Sequence, residues 1–453
     1  MKNSRLLTLF MAIIATFAFL FTGCTAEPRY SVDEDGNIVV NKPMVLRFAA
    51  PEGKFETEIE SFKAGFKKLY PQVTIKFEPI AGDWTSQLIM QLGTGSAPDI
   101  FWTDEVFSYA SKGQLEPLDD YFASLNVNKN DFYESMLDIG KYENKLYMMP
   151  REYNKVVTFY NKRIFDAVFS GMSEDDLPFT PKTGTHYPAD GWTWSEFVDT
   201  AEKIVLKQGS DIVRRGADIS LTWGSCGPTI FEGLGGTIKT GSGSSEAVNF
   251  NNSENLRIMT DIYNLMGSGA FVNPTKPDTG EFINGKVGMV FSSRPDCSSY
   301  QNAFNDDWDV VSFPLLPQKA AICTGCSGYV VNANSKVKEM AIRLLFYMVS
   351  EEGQSKFCET GNCVPVLKSM KDSEVWRSHP RTTINHEAFL WGEQYDTAPY
   401  KFNFTSELAK GKFESAWKDA MTNLVKQDSV SALSSSMSSA QITFNGIFDK
   451  YSI

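Results

Sequence analysis

The most constraining feature of the sequence is an alternation of strand and helix patterns that begins at Met44. The mostly apolar segment 44–50 is typical of a strand, and the segment after it carries apolar residues at helical spacing: Ile59, Phe62, Phe66 and Leu69. Pro71 ends this helix, and the alternating residues 73–77 predict a second strand. A helix at 84–92 and a short strand at 100–102 complete a β-α-β-α-β order. This order predicts an α/β domain with a mainly parallel sheet.

The alternation continues through the rest of the chain, whose 453 residues predict two or three domains. Further patterns predict strands at residues 156–160 and 287–291 and helices at residues 194–206 and 337–349. The tail, residues 416–451, is predicted to be helical. Its Ser-rich stretch 429–439 is also compatible with a linker. Because Val430, Leu433 and Met437 recur there at helical spacing, a packed helix is favoured.

Composition excludes several classes of function. The 43 basic and 55 acidic residues give a net charge of −12, which argues against nucleic-acid binding because neutralising phosphates needs clustered Lys and Arg. Three histidines offer little for metal chemistry, and no motif calls for a metal or another cofactor. The 42% hydrophobic content is enough for ordinary globular cores.

The N-terminus has the pattern of an export signal. Lys2 and Arg5 precede an apolar stretch, residues 6–21, that is shorter than the roughly 20 residues needed to span a bilayer. The following Phe-Thr-Gly-Cys24 resembles a bacterial lipobox, with Phe21 where that motif usually carries Leu. We therefore predict a lipoprotein signal peptide over residues 1–23, lipidation of Cys24 and a tether over residues 24–43. An ordinary secreted protein is the alternative.

Six cysteines remain beyond Cys24: Cys226, Cys297, Cys323, Cys326, Cys358 and Cys363. Outside the cytoplasm an even number is compatible with disulfides, and six cysteines allow 15 pairings that the sequence leaves open. The Cys-x-x-Cys at 323–326 has no His nearby and precedes a strand-like run, which disfavours a zinc site and a thioredoxin-type dithiol. Structural disulfides or buried thiols are favoured.

Seven segments occur in an order that carries a family resemblance: 95–118, Lys145–Pro150, Phe159–Lys162, Trp192–Phe197, Phe282–Met289, Gly328–Ser335 and Gly361–Pro365. They resemble, over about residues 44–449, the extracellular solute-binding proteins of family 1, the carbohydrate-type receptors of ABC importers. The resemblance implies a two-lobe periplasmic-binding-protein fold with a hinge and a ligand cleft between the lobes. It places the N-terminal lobe at 44–155 plus 320–365 and the C-terminal lobe at 156–319 plus 366–453.

The same resemblance implies a function and partners. The protein would be a lipid-anchored, extracytoplasmic monomer that captures a sugar or oligosaccharide and delivers it to ABC transporter permease subunits. Two other classes of function are alternatives. An extracytoplasmic carbohydrate-active enzyme would use paired carboxylates, but 55 acidic residues make a chance pair uninformative. A surface adhesin would need no cleft. The identity and length of the sugar and the permease stay open.

Candidate ligand contacts are polar and aromatic residues in loops at strand ends, because sugars are held by stacking on aromatic faces and by planar polar groups. The candidates are Asp104, Trp223, Arg294, Asn154, Asp83, Trp84, Glu52, Tyr329 and Trp391. The family carries a ligand-facing carboxylate near Asp104 and a polar sugar contact near Asn154. Arg294 is also suited to hold an acidic sugar, or to pair with Asp104 or Asp83. For each residue the alternative is a solvated charge or a half-buried aromatic.

Overall fold

The computed structural model describes residues 30–32, 38–53, 55–224, 226–241, 245–273, 279–325, 327–379, 383–397, 407–427 and 429–451. The predicted signal peptide and the predicted lipidation site Cys24 lie outside the described residues, as does Cys326.

The strands are β1 (Tyr30–Val32), β2 (Ile38–Val40), β3 (Met44–Pro51), β4 (Val73–Ile80), β5 (Ile100–Thr103), β6 (Lys141–Tyr142), β7 (Lys145–Leu146), β8 (Met148–Pro150), β9 (Asn154–Lys155), β10 (Val157–Asn161), β11 (Leu206–Gln208), β12 (Asp211–Asp218), β13 (Lys239–Thr240), β14 (Ala247–Val248), β15 (Val287–Ser292), β16 (Trp308–Ser312), β17 (Ile322–Gly325), β18 (Gly328–Val331) and β19 (Asp396–Thr397).

The α-helices are α1 (Glu56–Leu69), α2 (Trp84–Thr94), α3 (Phe107–Ala110), α4 (Asp119–Ser124), α5 (Glu134–Ile139), α6 (Lys162–Phe169), α7 (Trp194–Ile204), α8 (Cys226–Gly233), α9 (Ser253–Ser268), α10 (Thr279–Ile283), α11 (Cys297–Phe304), α12 (Lys338–Met348), α13 (Glu351–Cys358), α14 (Glu374–Arg377), α15 (Glu407–Leu424) and α16 (Val430–Tyr451).

Two five-stranded sheets define two lobes. Lobe one is built on the sheet β4-β3-β5-β18-β8 and lobe two on the sheet β11-β12-β15-β10-β16. In lobe one, β3 runs parallel to β4 and β5, which confirms the β-α-β-α-β prediction, while β18 runs antiparallel to β5 and β8. In lobe two, β12 and β15 are parallel and β10 is antiparallel to both its neighbours. Each main sheet therefore contains both parallel and antiparallel pairs, whereas the sequence predicts a mainly parallel sheet for the first domain.

The helices of lobe one follow the local sequence signals. Ile59, Phe62 and Phe66 of α1 are buried, whereas Leu69, the last residue of the predicted stripe, is mostly exposed. Helix α2 ends at Gly95, whose φ of 71° is left-handed and costs little without a Cβ. The apolar stripe and the glycine cap therefore act where the sequence predicts.

In lobe two, helix α7 begins at a capping box, in which Thr193 and Glu196 bond each other's backbone N–H groups. It ends at Ile204, two residues before the predicted end, because Leu206–Gln208 forms an edge strand on β12. From Val430 onward the Ser-rich stretch lies within α16, which confirms the packed-helix prediction. Leu433 and Met437 are fully buried, whereas Val430, in the first turn, is exposed.

A third, three-stranded sheet joins the lobes. Its order is β19-β17-β9, so three separate stretches of the chain meet there. Lys155 of β9 and Asp396 of β19 form a buried ion pair of 2.6 Å, and the Lys155 ammonium also donates to the carbonyl of Trp391. Because the chain passes from one main sheet to the other next to β9, we call this sheet the hinge sheet.

Candidate functional site

The candidate site begins at one edge of the lobe-one sheet. Because β3, β4 and β5 are parallel, the loops after them meet at that edge, and antiparallel β18 places Gly328 opposite Thr103 there. These loops carry four of the predicted contacts: Glu52, Asp83, Trp84 and Asp104. The structure therefore brings this group together at the edge expected for ligand binding.

Three aromatic rings run along this edge. The ring of Phe55 lies 5.2 Å from that of Trp102, which lies 6.3 Å from that of Trp84. Phe55 is buried, and the two indoles are half-buried. The indole N–H of Trp102 is buried and has no hydrogen-bond acceptor among the described residues. An unsatisfied buried donor costs about 1–3 kcal/mol, so an oxygen acceptor arriving here would be favoured.

A buried charge cluster lies behind the aromatic rings. Arg151 forms two hydrogen bonds to Glu58, of 3.2 and 2.8 Å, and an ion pair of 3.3 Å to Glu152. Burial, only partly offset by Arg151, raises the pKa of Glu58 to about 7. Burial opposes the charge on Arg151, but the two carboxylates outweigh it and raise its pKa. The cluster holds the loop after β8 against α1.

Asp83 caps the helix that carries Trp84. Its carboxylate accepts a hydrogen bond of 3.1 Å from the backbone N–H of Ser86, and hydrogen bonds from Ser86 lower the pKa of Asp83. The cap fixes the first turn of α2 at the lobe-one edge. Asp83 and Thr85 then face a cavity of about 770 Å³ between α2 and the lobe-two helices α15 and α16.

The lobe-two wall of this cavity mixes polar side chains with the apolar side chains of Ala416, Ala420, Ala440 and Ile447. Among the lining side chains are Lys412, Ser415, Asp419, Asn423 and Ser439. The cavity has the size of typical small-molecule sites, which span about 300–1,000 Å³. Because its lining comes from both lobes, a solute bound in the cavity can contact both of them.

Trp223 is the predicted contact that lobe two presents most openly. It is 37% exposed and lies in the loop between β12 and α8. A Cβ placed on the neighbouring Gly224 would lie 3.7 Å from Glu414 of α15, so this loop adjoins the helix that lines the cavity. Trp223 is thus accessible on the lobe-two side.

Arg294 differs from its prediction. It is only 2% exposed, and its guanidinium donates to the carbonyls of Gly361 and Trp376 at 3.3 and 2.7 Å and to His386 Nδ1 at 3.0 Å. A further bond goes to the carbonyl of His379. Asp83, one of its predicted partners, instead accepts from the backbone N–H of Ser86. Arg294 is a core residue, because its donors are already occupied and solvent does not reach it.

Tyr329 also differs from its prediction. It is 1% exposed, its hydroxyl donates to Glu58, and its ring packs on Phe48 at 5.3 Å. On β18 it pairs with Trp102, so its backbone belongs to the sheet edge while its side chain belongs to the core. Tyr329 therefore supports the charge cluster rather than facing the cleft.

The two remaining candidates lie at the hinge. Asn154 is the first residue of β9, and its side-chain oxygen is buried with no hydrogen-bond partner among the described residues. Trp391 is half-buried and packs on Gly191, where a Cβ would come within 2.7 Å of the indole. The side-chain oxygen of Asn154 can therefore accept a hydrogen bond from a ligand, whereas Trp391 packs against Gly191 and serves the fold.

Sequence reasoning missed Trp102, Phe55 and Arg151 as site residues. Trp102 was assigned to a buried strand, although it is the residue before the strand's end and lies at the carboxyl edge. The strand-end rule used for Asp104 would have found Trp102 if it had been extended one residue inward. Nothing in the sequence indicates that Phe55 and Arg151 stack at 5.1 Å, because that contact joins residues 96 positions apart.

Other site classes find no support in the described part of the chain. No group of three or more His, Cys, Asp or Glu is arranged to hold a metal ion there. Within the same residues, none of the helices is both long and apolar enough to cross a membrane. Cys226, Cys323, Cys358 and Cys363 carry free thiols, and these four residues and Cys297 are buried.

Comparison with known proteins agrees with this architecture. The chain is 21% identical over 352 residues to the galactooligosaccharide-binding protein of Bacillus subtilis, covering 73% of this chain and 75% of that one. It is 24% identical over 339 residues to a protein of Brucella abortus named as a binding protein, covering 72% and 75%.

Solved structures share the fold. An ABC substrate-binding protein of Listeria monocytogenes in complex with cycloalternan superposes with a TM-score of 0.69 at 21% identity, covering 89% of this chain and 100% of that one. The sugar-binding protein MalE of Xanthomonas citri gives a TM-score of 0.70 at 17% identity, covering 90% and 99%. The two-lobe periplasmic-binding-protein fold is therefore confirmed.

The family model described as bacterial extracellular solute-binding protein matches residues 61–383, which is most of the chain. Proteins of this family bind a solute and are not enzymes, which removes the carboxylate-pair hypothesis. The chain belongs to the bacterial extracellular solute-binding proteins.

Proposed function

We propose that the protein captures a sugar or oligosaccharide between its two lobes and delivers it to the permease of an ABC transporter. The observation that carries this proposal is the pair of half-buried indoles at the lobe-one edge, Trp84 and Trp102. Indole faces stack on the C–H surfaces of pyranose rings, and the free N–H of Trp102 suits a sugar hydroxyl oxygen.

The cavity supports an extended ligand. Its volume of about 770 Å³ exceeds that of a single sugar ring, and its walls combine carboxylate, amide, hydroxyl and ammonium groups. Sugar hydroxyls both donate and accept hydrogen bonds, so such a mixed lining suits them better than a purely cationic or apolar one. The relative named for galactooligosaccharide and the neighbour in complex with cycloalternan agree with an oligosaccharide.

Closure about the hinge sheet follows from the same geometry. Lobe one supplies Asp83 and Thr85 to the cavity and carries Trp84 and Trp102 at the adjoining sheet edge. Lobe two supplies the wall formed by α15 and α16 and carries Trp223 in the adjoining loop. A ligand that contacts both walls favours the closed form by its extra contacts there. We place the three crossings at β9, β17 and β19. Residues 366–395 then contact both lobes, since Leu367 pairs with Phe132 and His386 with Arg294.

The remaining parts of the proposal rest on the N-terminal sequence and on the family. We propose that residues 1–23 are removed, that Cys24 is lipidated, and that the segment between Cys24 and β1 tethers a monomer to the outer side of the cell membrane. The tether is shorter than the predicted residues 24–43, because β1 and β2 pair with each other and Val40 is buried in the core. A single lipid-modified residue keeps the lobes free to move, which suits delivery to a membrane permease.

The experiment is a calorimetric titration of residues 25–453 with malto- and galacto-oligosaccharides of increasing length, followed by analysis of the recovered sugar. Binding with the sugar recovered intact is expected. Trp102→Phe keeps the ring face but removes the N–H, so we expect about a tenfold loss of affinity with little loss of stability. Ile442→Ala, at a residue 72% exposed on α16, is the control and should bind normally.

Two results would contradict the proposal. If no neutral sugar binds while charged or peptide ligands do, the oligosaccharide assignment is wrong. If sugar binds but Trp102→Phe binds as tightly as the unmodified chain, the site lies elsewhere in the molecule.

A further inference from the structure

Two buried cysteines from distant parts of the chain meet at the hinge sheet. Cys226 is the first residue of α8 in lobe two, and Cys323 lies on β17, the central strand of the hinge sheet. Both are fully buried, and their thiols are in hydrogen-bonding contact. Both side chains belong to the lobe-two core.

We propose that in the exported protein Cys226 and Cys323 form a disulfide bond that fastens the start of α8 to the central strand of the hinge sheet. The two thiols are already in contact, and a disulfide can form only between cysteines that lie this near to each other. The family acts outside the cytoplasm, where disulfides form and persist.

The reaction is a thiol–disulfide exchange with a small-molecule or protein disulfide of the oxidising compartment. One protein thiolate attacks the S–S bond of the oxidant, which gives a mixed disulfide and releases one oxidant thiol. The second protein thiolate then displaces the other oxidant thiol and closes the Cys226–Cys323 bond. The two protein thiols are oxidised, the oxidant disulfide is reduced, and the two protons pass to its thiols.

The bond has a structural consequence for the cleft. The backbone N–H of Gly227 donates to the carbonyl of Trp223 at 2.9 Å, so fixing Cys226 also fixes the loop that carries this indole. Cys323 in turn holds the chain beside β9, since the N–H of Val156 donates to its carbonyl at 2.9 Å. The importance of this loop for the ligand rests on the proposed function, but the disulfide itself does not.

Timing follows from burial. Burial raises the pKa of the Cys226 thiol well above its ordinary value, so little of the reactive thiolate exists in the folded protein. The bond is therefore expected to form while the chain folds after export. Folded, reduced protein should react slowly with oxidised glutathione, and unfolded protein that refolds in its presence should react quickly.

The direct test is a disulfide map of the full chain exported by its own leader. Free thiols are blocked with iodoacetamide before digestion, and the peptides are analysed by mass spectrometry without and with reductant. A peptide pair joining Cys226 and Cys323, separated by the reductant, is expected. Blocked thiols at both positions, or a bond from Cys323 to Cys326 or to another cysteine, would overturn the proposal.

Substitutions give an independent measurement. The bond closes a ring spanning 323 − 226 = 97 positions, so Cys226→Ser and Cys323→Ser should each lower the midpoint of thermal unfolding by roughly 5 °C. The double variant should lose no more than either single one, because one bond is removed in each case. Additive losses would mean two separate buried thiols and would contradict the proposal.

Cys358→Ser is the matched control. Cys358 and Cys363 are also buried and their thiols are also in contact, but they lie within lobe one and only five positions apart. A ring so short removes little entropy from the unfolded chain, so the control should lose less than half as much. An equal loss in the control would show that thiol packing, not the long ring, explains the effect.

Discussion

Each lobe holds an arginine between aromatic rings just beyond the end of a strand, and the two arginines have opposite kinds of polar partners. The guanidinium of Arg151 lies between the rings of Phe55 and Phe357, at 5.1 and 4.9 Å. That of Arg294 lies between the rings of Trp376 and Phe389, at 5.2 Å from each. Both lobes thus hold an arginine between two aromatic rings, but the groups that bond the two guanidiniums differ.

Arg151 has two carboxylate partners, whereas Arg294 has only neutral acceptors among the described residues. Burial lowers the pKa of Arg294, while the carboxylates raise that of Arg151. The aromatic partners differ as well. Trp376 and Phe389 are fully buried, but Phe55 contacts Trp102, which leads on to the half-exposed Trp84. Lobe one therefore connects its arginine to the cleft, and lobe two encloses its own.

The largest expected effect is on stability, at the enclosed arginine. Arg294→Ala removes hydrogen bonds to Gly361, Trp376 and His386 and leaves a cavity between two rings. We expect a loss of about 3–5 kcal/mol in the free energy of unfolding, measured with urea. Folded variant should still bind sugar with unchanged affinity, since Arg294 does not reach the cleft.

The control is Arg163→Ala, which removes an exposed ion pair to Asp307 on the same lobe. Arg163 is 69% exposed, so its loss should stay below about 1 kcal/mol. If the Arg294→Ala variant is as stable as the unmodified protein but no longer binds sugar, Arg294 is a ligand contact and not an enclosed core residue.

The second prediction concerns the charge balance in lobe one. Arg151 shares one positive charge between Glu58 and Glu152, and burial raises the pKa of Glu58 from 4.5 to about 7. A raised carboxyl pKa means that the folded state binds the proton more tightly than the unfolded state does. The resulting stabilisation is complete below pH 4.5 and is lost as the pH rises to about 7.

Glu58→Gln removes this dependence. Relative to the variant, the unmodified protein should lose up to about 3 kcal/mol between these pH values, at about 1.4 kcal/mol per pH unit, as measured by urea unfolding at several pH values. Glu56→Gln is the control on the same helix. The backbone N–H of Gly53 lowers the pKa of Glu56, so its contribution disappears only below pH 4.5. Parallel stability curves for Glu58→Gln and the unmodified chain would contradict the assignment.

The contrast between the two arginines shows which features could be predicted from the sequence and which could not. Short-range patterns predicted the strand at Met44, the helix over Trp84 and the Ser-rich tail helix, because apolar period and end signals are local. The same patterns ranked Arg294 beside Asp104, because both follow a strand at a cleft edge. Only the acceptors at Gly361, Trp376 and His386, about 70 to 90 positions away, decide that Arg294 is enclosed.

The hinge was beyond such patterns for the same reason. Strands β9 and β19 are two residues long, too short for an apolar period, and they pair only through β17. The sequence also does not show which tryptophans are exposed. Trp84 and Trp102 are half-buried while Trp376 is enclosed, although all three are tryptophans near an element end.

The smallest expected effect tests the comparison directly, by removing one indole from each lobe. Trp84 belongs to a row of rings that continues to Trp102, whereas Trp223 is 37% exposed in a loop beyond the core. An indole held by neighbouring rings loses less freedom when it stacks on a sugar. In calorimetric titrations, Trp84→Ala should therefore weaken binding by about 2 kcal/mol, or thirtyfold, and Trp223→Ala by about 1 kcal/mol, or fivefold.

Comparing Trp84→Ala with Trp223→Ala shows which lobe contributes more to sugar binding, because both substitutions remove the same kind of side chain. If Trp223→Ala costs more affinity than Trp84→Ala, recognition is centred on lobe two, and the row of rings in lobe one serves packing. If the order is as expected, the double variant should lose the sum of both effects, because the two indoles belong to different lobes. A loss smaller than that sum would mean that only one wall engages the sugar at a time.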